Sequence, residues 1–458
     1  MPKSPRMFGF ALTMLFAGSL VAAAQEESPK KGEDAKKSAT EESVAKDTES
    51  GNSVTAIYLE QHREWDALNE QIDTAKNELL TAKDKEKEAS KNHYSELVIQ
   101  ANALLPQLRS SAMAAYQEKP NEDKQLLRLL IGIAANDARR DRYEEAYELA
   151  QLLIEKECGV SYVDCIAGAC AWSLHEFDNV KTHLQRAAGE SGKVPHGVGE
   201  YHNADRLTTY LQQADEYKKL WEAEQAIRAK EKEAGDLPRV LLTTNQGEIL
   251  IELFENEAPQ TVGNFVNLVE SGFYDGLTFH RVLGGFMAQG GCPLGTGIGG
   301  PGYNIFCECD PDKFPRHRRH FRGTLSMAHG KLSDTGGSQF FLTFSPTLTL
   351  NGVHTAFGRV ISDTGLQVLS KIKRRNPTDE FDQPIPADRL PAPDKILKAE
   401  VVEGTKRDHE YKPTIVPGSE ESSSSDSDSE KEDGDKDGED KESKKKKSDD
   451  EEDESKDN

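Results

Sequence analysis

The residues best equipped for chemistry lie in Thr278–Gly291. Arg281, Phe286, Met287 and Gln289 bring a guanidinium, a carboxamide and two apolar side chains into one short stretch. Phe279–Leu283 can run as a strand, with His280 and Val282 on one face and Phe279, Arg281 and Leu283 on the other. Gly284-Gly285 interrupts that strand and Phe286–Gln289 resumes it. A rigid surface of this composition can hold an apolar ring and hydrogen-bond the amide attached to it, which suits a proline and its peptide bond. Rotation about that bond meets a barrier of about 20 kcal/mol, because resonance gives it double-bond character. A fixed cation beside the prolyl nitrogen favours the twisted amide over the planar one, and this difference is what accelerates rotation. Arg281 fits that role, since a guanidinium stays charged and presents several donors in one plane. Gln289 can hold the substrate backbone, and Gln339 can orient Arg281. The rotation requires no nucleophile, metal or cofactor. His280 points away from Arg281 and is expected to be structural.

The stretch Phe279-His-Arg-Val-Leu-Gly-Gly-Phe-Met-Ala-Gln-Gly-Gly291 resembles the signature of the cyclophilin peptidyl-prolyl isomerases. Three further segments follow in that family's order: Gly323-Thr-Leu-Ser-Met-Ala328, Gly337-Ser-Gln-Phe-Phe341 and Leu350-Asn-Gly-Val-His-Thr-Ala-Phe-Gly358. The resemblance covers roughly residues 238–403. It implies a closed antiparallel β-barrel with two helices and isomerase activity on X–Pro bonds. It also implies a proline pocket of Phe286, Met287, Phe341 and Leu350, with His354 hydrogen-bonding at the rim beside Arg281 and Gln289. Ala328, His329 and Gln339 complete the expected substrate-binding set. His329 stands where the family often has Asn, a position that acts partly through its backbone. Thr349 stands where many members have Trp, so weak cyclosporin binding is expected. A proline-binding chaperone or scaffold with little turnover is the alternative reading.

The elements that must position these residues can be read around them. Arg239–Thr244 and Glu248–Leu253 are predicted strands joined by a turn at Asn245-Gln-Gly247. Pro259 suits the first position of a helix whose buried stripe is Val262, Phe265, Val266 and Val269. A second helix is predicted near Gly365–Lys373, an inserted loop over Asn376–Asp394, and a closing strand over Lys395–Val402.

The first half of the chain carries a different period. Trp65, Leu68, Ile72, Ala75, Leu79 and Ala82 alternate steps of three and four, a helical seam expected to fold onto Tyr94, Leu97, Ala101, Leu104 and Leu108. Arg142-Tyr-Glu-Glu-Ala146 and Glu176-Phe-Asp-Asn-Val180 repeat at 34 residues, the period of tetratricopeptide helix pairs. Leu207, Tyr210, Leu211, Ala214, Tyr217 and Trp221 mark an apolar face on a helix ending at Gly235-Asp-Leu-Pro238. A helical domain over 54–234, resembling tetratricopeptide repeats, is therefore expected before an isomerase domain over 238–404. The helical domain is either a docking groove for a protein partner or a compact bundle with no ligand.

The ends and the composition bound the rest. Lys3 and Arg6, the apolar run Met7–Leu20 and Ala22-Ala23-Ala24 read as a signal peptide over 1–24, with a mature start at Gln25 and export to a periplasmic or extracellular space. Residues 25–53 read as a disordered linker. Residues 418–458, with 19 acidic against 8 basic residues, read as a disordered acidic tail. The formal net charge of −23 argues against a nucleic-acid partner, and no stable membrane span is expected after signal cleavage. Export would permit disulfides among the six cysteines, though spacing does not give their pairing. Cys307 and Cys309 with His317 and His320 could hold zinc, but structural zinc sites usually space their cysteines more widely. A basic loop is the plainer reading.

Overall fold

The structure, a computed structural model, describes residues 54–379, 383–402 and 409–419. The expected signal peptide, the linker over 25–53 and the acidic tail beyond residue 419 lie outside the described residues.

The helical half begins with α1 (Val54–Thr81) and α2 (Asp84–Glu118), which fold back on each other. Trp65, Leu68, Ile72 and Ala75 bury in one core with Tyr94, Leu97, Ala101, Leu104 and Leu108, so the seam closes within the chain. Four shorter helices follow: α3 (Lys124–Arg139), α4 (Tyr143–Glu155), α5 (Ser161–Ser173) and α6 (Phe177–Ala188). Asp123 caps α3 by accepting the backbone N–H groups of Gln125 and Leu126, which would otherwise be unpaired at a helix start. Tyr143 and Phe177 open α4 and α6 at equivalent points of the 34-residue spacing, and both are buried. Gly168 on α5 lets α6 approach closely, because a Cβ there would lie 2.2 Å from Leu184 Cδ2. The long α7 (Ala204–Ala234) packs on α6 and ends at Gly235 in the left-handed conformation.

The second half is an eight-stranded antiparallel sheet with two helices. Its strands are β1 (Arg239–Thr244), β2 (Gly247–Leu253), β3 (Arg281–Leu283), β4 (Met287–Gly290), β5 (Thr324–Met327), β6 (Phe340–Thr343), β7 (Ala356–Val360) and β8 (Ile396–Val401). Their order across the sheet is β3-β4-β6-β5-β7-β2-β1-β8. Helix α8 (Pro259–Glu270) buries Val262, Phe265, Val266 and Val269 into the sheet core, and α9 (Asp363–Lys371) lies against β2. The expected closed barrel is not formed: the sheet is an open half-barrel. Among the described residues its edge strands β3 and β8 share no ladder; the segment before β3 meets the start of β8 through the Thr278–Lys395 bridge and the backbone bonds of Gly276, Leu277 and Phe279 to Ile396 and Asp394. Within β3 itself, Val282 bonds Arg375 with both its backbone groups, at 2.8 and 2.9 Å, so the outer edge of that short strand faces Arg375 and not β8.

The two halves meet over an extensive polar and aromatic interface. Asp141 and His175, another pair at the 34-residue spacing, are non-glycine residues with left-handed backbones at the helix-pair corners (φ 62° and 65°). Each corner grips the sheet half. The Asp141 carboxylate accepts the Gly285 N–H at 2.7 Å and a charged contact from Arg374. His175 Nε2 accepts the Arg322 N–H at 3.2 Å, while its ring stacks on Trp221 and meets Phe321 edge-on. Phe321, from the sheet half, is buried in the core of the helical half. Burying such a side chain contributes roughly 1.5–3 kcal/mol. Glu224 and Glu231 of α7 pair with the buried Arg318, and Glu231 also pairs with Arg359.

Candidate active site

Strand register assembles the site. On β3, β4 and β6, Arg281 lies opposite Gln289, and Gln289 lies opposite Phe341. Directly opposed residues project to the same face, so the cation, the amide and the aromatic ring form one row across three strands. Met287, two residues before Gln289, shares that face and is buried. Phe286, at the turn before β4, and Leu350, at the end of a 3₁₀ turn, are half-buried. His354 meets Phe341 edge-on, with ring centroids 5.4 Å apart, and its Nδ1 bonds the Met327 carbonyl at 3.0 Å. Five of the expected residues, Arg281, Met287, Gln289, Phe341 and His354, are thus brought together, while Phe286 and Leu350 lie next to Met287 and near His354 along the chain.

Gln339 is used differently from the expectation that it orients Arg281. Its carbonyl accepts from Gln289 Nε2 at 3.0 Å, and its own Nε2 donates to Gly297 and Gly299 carbonyls at 2.7 and 2.9 Å. Its amide is therefore committed to Gln289 and to the loop at Gly297–Gly299. Ala328 donates its N–H to the backbone carbonyl of Gln339 at 2.9 Å, which fixes the adjoining backbone. His329 stacks on His354 at 4.1 Å and anchors to the Gly330 and Val353 carbonyls. Thr349 is exposed.

The electrostatics follow from burial. The Arg281 guanidinium is held below its usual pKa chiefly by desolvation, with Tyr201 opposing the shift. A guanidinium starts so far above neutrality that it nonetheless stays charged there. His354 is pushed down to about 4, first by burial and then by His329, so it is neutral at pH 7. His280 is buried and also lowered to about 4, by burial and then by the charge of Arg281. Phe279 is an exception to the expected alternation: it precedes β3 and buries against Phe340 in the sheet core.

The cysteine and histidine groups do other work. All six cysteines are free thiols. His317 bonds Phe314 and Arg319, and His320 bonds Asn351 and Ser326, so neither turns toward Cys307 and Cys309. Among the described residues, no cluster of three or more His, Cys, Asp or Glu side chains is arranged to hold a metal. No helix among them is long and apolar enough to cross a membrane.

Two side chains at the site escaped the sequence reading. His320 stacks on Phe341 with ring centroids 6.0 Å apart. Tyr201, from the segment before α7, stacks on Phe286 at 4.4 Å with an interplanar angle of 10°. No local signal marks Tyr201, because its neighbour at the site is distant in the chain.

A half-barrel with an arginine–glutamine–phenylalanine row beside an apolar pocket is the architecture of a proline-directed isomerase domain. Residues 239–401 match the family described as cyclophilin type peptidyl-prolyl cis-trans isomerase/CLD. The chain is 53% identical over 147 residues to a peptidyl-prolyl cis-trans isomerase of Helicobacter pylori strain 26695, covering 32% of this chain and 86% of that protein. It is 56% identical over 122 residues to peptidyl-prolyl cis-trans isomerase B of Bacillus subtilis strain 168, covering 26% of this chain and 81% of that protein. A crystal structure of a Cryptosporidium parvum cyclophilin type isomerase with the dipeptide Ala-Pro aligns at 34% identity and a TM-score of 0.30, covering 36% of this chain and 99% of that one. The chain belongs to the cyclophilin family of peptidyl-prolyl cis-trans isomerases.

Proposed function

We propose that this chain turns over X–Pro bonds in exported polypeptides and so assists their folding, with Arg281, Gln289 and His354 as the catalytic group. The observation that supports this reading is the row of Arg281, Gln289 and Phe341 across β3, β4 and β6, with His354 against Phe341. The prolyl ring sits among Phe286, Met287, Phe341 and Leu350, which exclude water from one side of the bond. Gln289, held by Gln339, binds the substrate backbone. Neutral His354 bonds at the rim, where a protonated imidazole would repel the arginine. Arg281 then faces the amide as it twists. Its charge interacts more strongly with the pyramidal nitrogen than with the planar amide, and each 1.36 kcal/mol of that difference is about tenfold in rate. Ala328 and His329 border the backbone of the bound peptide.

The readings of residues 1–24 as an export signal and of 54–234 as a tetratricopeptide-like docking domain belong to this proposal. The tetratricopeptide-like part of that reading is supported by the helix pairs α3–α4 and α5–α6. The test is turnover of short proline peptides by the full chain. Measurable turnover in the wild type and its loss in Arg281→Ala support the catalytic reading. A folded Arg281→Ala protein with wild-type turnover sinks it.

A further inference from the structure

The isomerase site does not stop at the boundary of the sheet half. Tyr201 lies parallel to Phe286 at 4.4 Å, and the Arg206 guanidinium covers the other side of Tyr201, 4.1 Å from its ring centroid. The result is a three-layer stack: guanidinium, phenol and the phenylalanine that lines the proline pocket. Its support is rigid. The Gly285 N–H donates to buried Asp141 at 2.7 Å, and a Cβ on Gly285 would come within 2.7 Å of Tyr201 Cβ. The turn that carries Phe286 is thus pressed onto the helical half with no space for a side chain between them. Next to Tyr201, His202 is buried and bonded to Tyr143 and Tyr210, which fixes the segment from behind. Tyr201 also lies close enough to Arg281 for the two groups to influence each other's ionisation. Both Tyr201 and Phe286 remain half-exposed, so their open edges form one continuous aromatic surface.

We propose that Tyr201 is a positioning residue of the isomerase site, lent by the helical half, which holds Phe286 in place and extends the apolar wall that an X–Pro peptide meets. This rests on the isomerase reading above. It makes the binding surface a joint product of the two halves, although every residue expected from the sequence lies in one of them. The flat ring carries the effect, since it alone makes the parallel contact.

The test uses the full chain as wild type, Tyr201→Ala, Tyr201→Phe and Tyr201→Leu, with one Ala-Pro-containing peptide as probe. Turnover gives kcat and KM, direct titration gives Kd, and thermal melting checks folding. Tyr201→Ala is expected to raise KM and Kd about tenfold, a loss of about 1.4 kcal/mol in binding, with kcat nearly unchanged. Tyr201→Phe should restore both constants. If the alanine variant fails to fold, the leucine variant decides, because it keeps bulk but not a flat ring and should bind more weakly than the phenylalanine variant. Unchanged KM and Kd in a folded alanine or leucine variant overturn the proposal. So does a gain in turnover, which would make the ring a plug. A wild type that binds the peptide without turning it over removes the isomerase reading and leaves the Kd comparison to judge Tyr201. A wild type that binds no peptide overturns both.

Discussion

In the helical half each helix from α1 to α7 packs on the next one along the chain, whereas in the sheet half β8 lies beside β1 and β7 beside β2. The first half is assembled by neighbours, whereas the second joins neighbouring strand pairs through distant partners. A core made of neighbours leaves its helix-pair corners free to do something else. Here the corners at Asp141 and His175 become the grip on the sheet half. The sheet half instead uses its register to align chemistry, and its loops to receive that grip. One half therefore supplies the reacting groups while the other braces the turn that carries Phe286.

This division makes acid the broadest challenge to the contrast. His202 is buried on the helical side and His320 on the sheet side, with pKa values pushed by burial to about 4 and about 3. Both are lowered from about 6.5, so the unfolded chain takes up protons first as the pH falls. Their contribution to stability is complete above about pH 6.5 and is lost as the pH drops through about 4 and toward 3. Together they should cost several kcal/mol on acidification, at about 1.36 kcal/mol for each pH unit between folded and unfolded values. Urea unfolding from pH 7 to pH 3.5 should show one midpoint falling for both halves. Two transitions that separate on acidification would mean that the halves titrate and unfold independently.

The ion cluster on α7 tests the join more locally. Glu231 pairs with Arg318 and Arg359, all of them buried. Glu231→Ala leaves both arginines short of a partner, and breaking a buried pair in this way costs about 3–5 kcal/mol. Denaturant unfolding of the variant should show that loss in the sheet half as well as in α7. Stability within about 0.5 kcal/mol of wild type, the usual range for surface changes, would mean that water replaces the carboxylate at little cost.

Arg281→Ala tests the chemical side of the comparison. Removing one preorganised electrostatic group typically lowers turnover about a hundredfold or more. That loss should appear in kcat while the melting temperature is retained, because Arg281 makes no ion pair among the described residues. The helical half then keeps its structure while the sheet half loses its chemistry. Coupled loss of both would erase the division.

The smallest effect concerns Thr349, which is exposed. By family resemblance a tryptophan here supplies an apolar wall and an indole donor for cyclosporin. An aromatic anchor is worth ~2 kcal/mol, so Thr349→Trp should tighten cyclosporin binding at least tenfold. Turnover of short peptides should barely change. Equal affinities in wild type and variant would place Thr349 away from the bound drug.

Much of this molecule was legible before folding because its signals are local. The seam from Trp65 to Ala75 names the buried face of α1, since helical periodicity depends only on residues one turn apart. Pro259 marks the start of α8 for a similarly local reason, its fixed φ and missing N–H. The fourteen residues around Arg281 and Gln289 carried the chemistry, because two short strands joined by a tight turn place those side chains opposite each other. Tertiary structure decided the rest. The outer edge of β3 went to Arg375, which takes both backbone groups of Val282, a pairing that no pattern near β3 announces. Gln339 found its partners in Gln289 and the Gly297–Gly299 loop, a choice set by packing between separate segments. The placing of Tyr201 on Phe286 belongs to the contact between the two halves, where Gly285 meets Asp141 and Tyr201. Periodicity and spacing record what a residue does within its own element, whereas a contact between elements exists only after both have folded and met.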